Sequence, residues 1–206
     1  MPARLFVLAG VNGAGKSSLG GAALQASGAE FFNPDVIAAR LREQQPGLSA
    51  SQANGLAWTL GRRGLEKALA DGLTYAFETT LGGRSITRLL LDGARQGAEI
   101  HVWFAGLATP ELHLKRIAAR VAAGGHDIPE AKVRERFDAS RANLVKLMPR
   151  LASLRVYDNS AEADPSIGKR PQPVLLLQMQ AGRVVSHAPL RGIPAWAKPL
   201  LAAALR

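Results

Sequence analysis

The stretch Arg4-Leu5-Phe6-Val7-Leu8-Ala9-Gly10-Val11-Asn12-Gly13-Ala14-Gly15-Lys16-Ser17-Ser18 sets the fold. Residues 4–9 form a short apolar run of strand character that stops at Gly10 and Asn12, too early for the hydrophobic segment of a secretion signal. Residues 10–17 then match the spacing G-x-x-x-x-G-K-[ST]. Glycines are needed there because consecutive backbone N–H groups must face a phosphate without Cβ clashes, while the following helix adds its positive N-terminus. Gly10, Val11, Asn12, Gly13, Ala14, Gly15, Lys16, Ser17 and Ser18 are therefore expected to bind a nucleotide. Lys16 is expected at the β- and γ-phosphates and Ser17 at a magnesium ion, with ATP and Mg²⁺ as the cofactors.

Outward from that stretch, apolar runs alternate with helical patterns, the signature of an α/β protein with a parallel sheet sandwiched by helices, as in P-loop NTPases and kinases. The spacing predicts strands at Leu5–Ala9, Glu30–Asn33, Thr74–Glu78, Glu99–Ala105 and Leu154–Tyr157. Helical spacing runs over Lys16–Ala26, Pro34–Gln44, Ser51–Asp71, Ser85–Gln96, Pro110–Ala123 and Pro129–Leu147. Asp164–Pro173 reads as a surface loop leading to a late hairpin, Val174–Met179 and Arg183–His187, outside the core pattern. The expected organisation is one kinase-type domain over residues 1–206, with a core of about 1–160 and a C-terminal extension of about 165–206.

The chain has no cysteine, which excludes disulfides, zinc–thiolate sites and thiol nucleophiles. No apolar stretch approaches the ~20 residues that cross a bilayer, so a cytoplasmic protein with no membrane partner is expected. The net charge of +10 comes from 26 basic and 16 acidic residues, and 19 of the basic ones are Arg, whose planar fork grips phosphate. A polyanionic partner, two phosphorylated substrates in one site, or a solvated Arg-rich surface each fit that charge. Nucleic acid is disfavoured, because no dense basic run or interleaved aromatic platform occurs.

Phosphate binding alone does not separate a motor, a switch and a kinase. The chain lacks an Asn-Lys-x-Asp guanine signature, a transporter signature, and a strand ending in the paired acids of hydrolytic motors. Those absences favour a small-molecule phosphotransferase. Asp35, after the second strand, falls at the sheet edge that carries the loop, where a carboxylate can take a hydroxyl proton or merely cap a helix. Glu78 and Thr80, after the third strand, are placed to line the same cleft or to bond within their own turn. Arg116 and Arg120 precede Gly124-Gly125-His126, and Arg134 and Arg136 follow it, which resembles a lid that closes over a triphosphate. His126 is a better hinge or cap than base.

Together with the loop, the runs Asn33-Pro34-Asp35, Glu78-Thr79-Thr80, Arg120…Gly124-Gly125-His126-Asp127-Ile128-Pro129…Arg136-Phe137…Ser140…Asn143-Leu144 and Tyr157-Asp158-Asn159-Ser160 resemble the zeta-toxin-like kinases over roughly residues 4 to 160. That resemblance implies transfer of the ATP γ-phosphate to the 3′-hydroxyl of UDP-N-acetylglucosamine or a related UDP-sugar, with Mg²⁺, and an antitoxin protein as a partner. It implies Lys16, Asp35, Arg120 and Arg136 as catalytic residues, with Asp35 the base. Arg120, Arg134 and Asn159 would join the loop in nucleotide binding, and Asp35, Glu78 and Thr80 would hold the sugar nucleotide. Gly82 stands where better-studied toxins of the family have Arg, and the tail from Val174 has no counterpart in them. The alternative class is a nucleotide-dependent regulatory ATPase acting on nucleic acid or a protein.

Overall fold

The computed structural model describes residues 1–16, 19–20, 31–162 and 172–206. Ser17, Ser18, most of the helix expected over 16–26, Glu30 and most of the 164–173 loop lie outside the described residues. Seven strands form one sheet: β1 (Arg4–Ala9), β2 (Phe31–Phe32), β3 (Thr74–Thr79), β4 (Glu99–Gly106), β5 (Ser153–Asp158), β6 (Val174–Gln180) and β7 (Arg183–His187). Their order is β2-β3-β1-β4-β5-β6-β7, parallel from β2 to β5 and antiparallel beyond. The chain passes from β1 to one side of the sheet and later returns to the other, so the order switches at β1. In such sheets the crevice at the carboxyl ends of the strands is where ligands sit.

Helices fill the crossovers: α1 (Pro34–Gln44), α2 (Ala50–Asp71), α3 (Arg84–Arg95), α4 (Pro110–Ala122) and α5 (Glu130–Leu147). Local chemistry fixes their ends. Ser49 and Gln52 form a capping box at the start of α2, which stops at Gly72 in a left-handed conformation. Thr109 caps α4 with Pro110 in its first turn.

Alternate residues of β1 serve two faces. Leu5, Val7 and Ala9 enter the main core with Phe77, Ile100, Val102, Phe104, Leu154 and Val156, while Phe6 and Leu8 pack with Ala76, Leu19 and Trp103. A strand buried on both faces must be apolar throughout, which is why residues 5–9 show no alternation.

The late hairpin does not lie outside the core as its position in the sequence implied. β6 pairs with β5 from Ser153 with Gln180 to Asp158 with Val174, with a register shift between Val156 and Tyr157, and Leu176, Leu177 and Met179 are buried in the main core. Its turn, Ala181 at φ +48 and Gly182 at φ +73, is the left-handed pair that matches strand twist. The following segment, with α6 (Lys198–Ala204), adds Ile193, Trp196, Leu200 and Leu201 to the same cluster.

Trp196, 3 % exposed, covers Gly106 at the end of β4 and packs against the Phe104 ring at 6.2 Å. Trp196→Ala is expected to lower the unfolding free energy by about 3–5 kcal/mol in urea denaturation. A loss below about 1 kcal/mol would mean that the segment only rests on the sheet.

Candidate active site

The turn after β1 is built as a phosphate cradle. Gly10 at φ +138 and Gly15 at φ +75 adopt a backbone that side chains oppose, and a Cβ would overlap the Ala105 carbonyl oxygen at the first and the Asn159 amide at the second. Three neighbours hold the loop. Asn159 Nδ2 donates to the Ala14 carbonyl at 2.9 Å, Arg136 Nη1 donates to Asn12 Oδ1 at 2.8 Å, and His113 Nδ1 lies 2.8 Å from the Asn12 carbonyl. Asn159 therefore supports the loop through its side chain, away from the cleft lining.

Lys16 is 5 % exposed, and its ammonium contacts the Val11 carbonyl at 3.2 Å and Glu78 Oε1 at 3.3 Å. The other oxygen of Glu78 accepts from Asn33 Nδ2 at 3.2 Å. Asn33 Oδ1 in turn accepts from the backbone N–H groups of Asp35 and Val36 at 2.9 and 3.3 Å, so Asn33 is the cap of α1. Asp35 is free of that duty. Its Oδ2 meets Arg120 Nη1 at 3.4 Å and its Oδ1 lies 3.9 Å from His126 Nε2, while Arg120 Nη2 donates to the His126 carbonyl at 2.9 Å.

A cleft of about 390 Å³ opens beside this network, lined by Asn12, Lys16, Asp35, Glu78, Thr80 and Arg136 among others. Thr80 Oγ1 accepts from the Gly82 N–H at 3.4 Å, so Thr80 both closes its own turn and faces the cleft. That turn, with Leu81 at φ +54, is fixed from behind by Asn143 Nδ2, which donates to the Leu81 carbonyl at 2.9 Å. A Cβ at Gly82 would stand 2.7 Å from Arg136 Cγ, so the stem of Arg136 occupies the room a larger residue would need. Burial lowers the pKa of the Arg136 guanidinium.

Arg134, expected at the nucleotide, has its guanidinium paired with Glu111 at 2.7 Å and Glu130 at 2.8 Å on an exposed surface and does not line this cleft. Arg116 donates to the Ala161 carbonyl at 3.0 Å. Sequence reasoning missed His113 and the structural use of Asn143; the only signal for His113 was its place one turn before buried Ile117 on α4.

A carboxyl-edge crevice, a glycine loop at the switch of strand order, and Lys16, Asp35 and Arg136 converging beside it define a P-loop kinase-like fold. The chain belongs to the AAA domain family, which matches residues 5–147. It is 32% identical over 128 residues to an uncharacterized protein of Haemophilus influenzae, covering 62% of this chain and 88% of that one. Its fold is similar to a chain of the AvrRxo1-ORF1:-ORF2 complex with ATP, at TM-score 0.66 and 18% identity over 98% of this chain. This chain spans 64% of that chain's length, less than two thirds. It is also similar to the PezAT chromosomal toxin-antitoxin system of Streptococcus pneumoniae, at TM-score 0.55 and 16% identity, over 83% of this chain and 75% of that one. Among the described residues no helix is long and apolar enough to cross a membrane.

Burial, with Lys16 and Arg116 nearby, lowers the pKa of His113 to about 4, against an opposing contribution from its bond to Asn12. A neutral ring then donates its Nδ1 proton to the Asn12 carbonyl. The unfolded chain takes up a proton near the ordinary value of 6.5 and the folded one only near 4. Stability is therefore lost as pH falls through that window, by up to about 3 kcal/mol. Urea unfolding at pH 7.5 and pH 5 should show a smaller loss in His113→Gln, which keeps a donor and does not titrate; an unchanged difference would remove His113 as the source.

Proposed function

We propose that this chain is an ATP-dependent phosphotransferase that moves the γ-phosphate to a hydroxyl of a small molecule, a UDP-amino sugar such as UDP-N-acetylglucosamine. The observation that carries the reading is Asp35: a carboxylate released from capping by Asn33 that lines one cleft with Lys16 and Arg136. Similarity to the AvrRxo1 complex with ATP and to a toxin-antitoxin system supports it at the level of fold. The Gly-Gly-His-Asp-Ile-Pro run at 124–129 and the Glu78–Thr80 turn support the sugar-nucleotide acceptor. Residues 1–206 act in this reading as one kinase unit in the cytoplasm, and an antitoxin protein is the partner that goes with it.

The residues fit the ligands the reading needs. The positive-φ glycines let the loop turn with no Cβ in the way, and Arg120 Nε is buried without a hydrogen-bond partner among the described residues, as a group awaiting a phosphate oxygen would be. The loop amides and Lys16 hold the β- and γ-phosphates. Ser17, outside the described residues, is the residue that would hold Mg²⁺, and the ion would supply charge neutralisation at the phosphates. Asp35 takes the proton of the acceptor hydroxyl as that oxygen bonds to the γ-phosphorus. The bond from γ-phosphorus to the bridging oxygen breaks, and ADP leaves with its electron pair. Arg120 and Arg136 neutralise charge on the transferring group, and Glu78 and Thr80 orient the acceptor.

The test is a screen of UDP-sugars for ATP consumption, with the phosphorylated product identified by mass spectrometry. Lys16→Ala should abolish turnover, and Asp35→Asn should lower kcat by about 10²–10⁴ while ATP still binds. Unchanged turnover in Asp35→Asn would remove it as base. ATP hydrolysis stimulated by RNA or DNA and indifferent to every sugar would replace the kinase reading with a regulatory ATPase.

A further inference from the structure

The cleft extends beyond the residues used so far, along one face of α2. Asn54, Trp58, Gly61 and Arg62 fall at intervals of four, three and one residues, which puts them on a single stripe, and all four line the cleft. The rest of this side of α2 is accounted for by packing: Ala53 and Ala57, beside the stripe, sit against Ala38 of α1, and Leu65 and Ala68, further along it, enter the main core. Of the stripe, Gly61 is covered by Phe32, while Trp58 joins none of the hydrophobic clusters among the described residues. Trp58 is 47% exposed, unusual for the largest side chain of a packed helix.

Arg62 is held ready beside it. Its guanidinium lies over the Trp58 ring at 5.6 Å from the centroid, and Nη1 reaches Glu66 at 3.4 Å. Its Nε is buried without a hydrogen-bond partner among the described residues. The ring contact fixes the guanidinium plane, and a fixed fork with a spare donor is a receptor for a phosphate oxygen. Phe32 packs over Gly61, where a Cβ would stand 2.6 Å from the Phe32 ring, and adds a second aromatic wall. The other basic cleft groups are engaged elsewhere: Lys16 with Glu78, Lys132 with Glu135 and Arg136 with Asn12.

We propose that Trp58 and Arg62 form the subsite for the non-reacting, nucleotide half of the acceptor, with the ring of a pyrimidine nucleotide against Trp58 and Phe32 and its phosphate on Arg62. The proposal rests on the kinase reading above for the identity of that acceptor. Asp35 and Lys16 take the hydroxyl end of the same cleft, and the α2 stripe takes the anionic end, so the substrate is gripped at the two ends of one molecule.

The test uses the whole chain with its phosphate loop saturated by Mg²⁺ and a non-hydrolysable ATP analogue, so that the probes meet only the acceptor side. Calorimetric titration compares UMP with uridine. UMP should bind about tenfold or more tightly than uridine, Arg62→Gln should erase that preference, and Trp58→Ala should weaken both probes by about tenfold. Both positions are partly exposed, and matching circular dichroism and melting temperatures would show that the variants are folded. Equal binding of UMP and uridine by the unaltered protein, or UMP binding untouched by both substitutions, overturns the subsite. The binding readout does not require turnover. Intact UMP selectivity in a protein that phosphorylates no UDP-sugar would sink the kinase reading and leave the subsite standing, and turnover with a KM for UDP-N-acetylglucosamine unchanged in Arg62→Gln would sink the subsite alone.

Discussion

The site depends on the buried charge of Lys16. An ammonium that is 5 % exposed is costly unless it is paired, and removing one partner of such a pair costs about 3–5 kcal/mol. Glu78 supplies the partner from the end of β3, and its second oxygen is satisfied by Asn33 at the end of β2. Asn33 has one side-chain amide for two tasks: its nitrogen serves Glu78 and its oxygen caps α1. The need to neutralise one lysine therefore links the ends of three adjacent strands and frees Asp35 to face the cleft. A single residue, Asn33, transmits that constraint, which gives the sequence Asn33-Pro34-Asp35 a physical meaning: cap, first-turn proline, and a carboxylate released by the cap.

The strengths of the contacts around Asp35 differ in the opposite sense. Asp35 and Arg120 have side chains 43% and 35% exposed and meet at 3.4 Å, an arrangement worth about 0–1 kcal/mol. A phosphate competing for Arg120 would displace so weak a contact at little cost, whereas the Lys16–Glu78 pair resists separation. Motion on ligand binding is thus expected in the segment that carries Arg120 and His126, while β1, β2 and β3 keep their ends in place. Arg136 belongs with the fixed part, because its stem fills the space over Gly82 and its head is bonded to Asn12.

The parallel sheet was legible because strands buried on both faces are continuous apolar runs, and the loop was legible because its glycine spacing has a backbone cause. The hairpin was harder to place. Residues 174–179 read as a strand in sequence, but the choice between a separate extension and a sixth strand on β5 depends on a pairing partner that pattern alone does not name. The arginines show a sharper limit. Arg134 and Arg136 are two apart on α5, so they point to different sides of the helix and only one of them can reach the cleft. Spacing reveals that exclusion but not which one wins; Glu111 on α4 decides it by capturing Arg134. Trp58 and Arg62 escaped notice for a related reason, since an aromatic and an arginine one turn apart on a helix read equally well as core edge and solvated face.

The C-terminal segment matters to the phosphate loop through the end of β5. Trp196 Nε1 donates to Asp158 Oδ1 at 3.2 Å, and the next residue, Asn159, holds the Ala14 carbonyl and closes on Gly15. The Asn159 N–H itself bonds to the Gly106 carbonyl, beneath the Trp196 ring. Loop, β4 end, β5 end and C-terminal tryptophan are consequently one packed stack. A cradle whose N–H dipoles must converge on one anion gains rigidity from a wall supplied late in the chain, and burial of the Trp196 ring, in a short 3-10 turn before α6, provides it. The segment after residue 172 is thereby joined to the phosphate site by structure, although nothing in its own sequence carries phosphate chemistry.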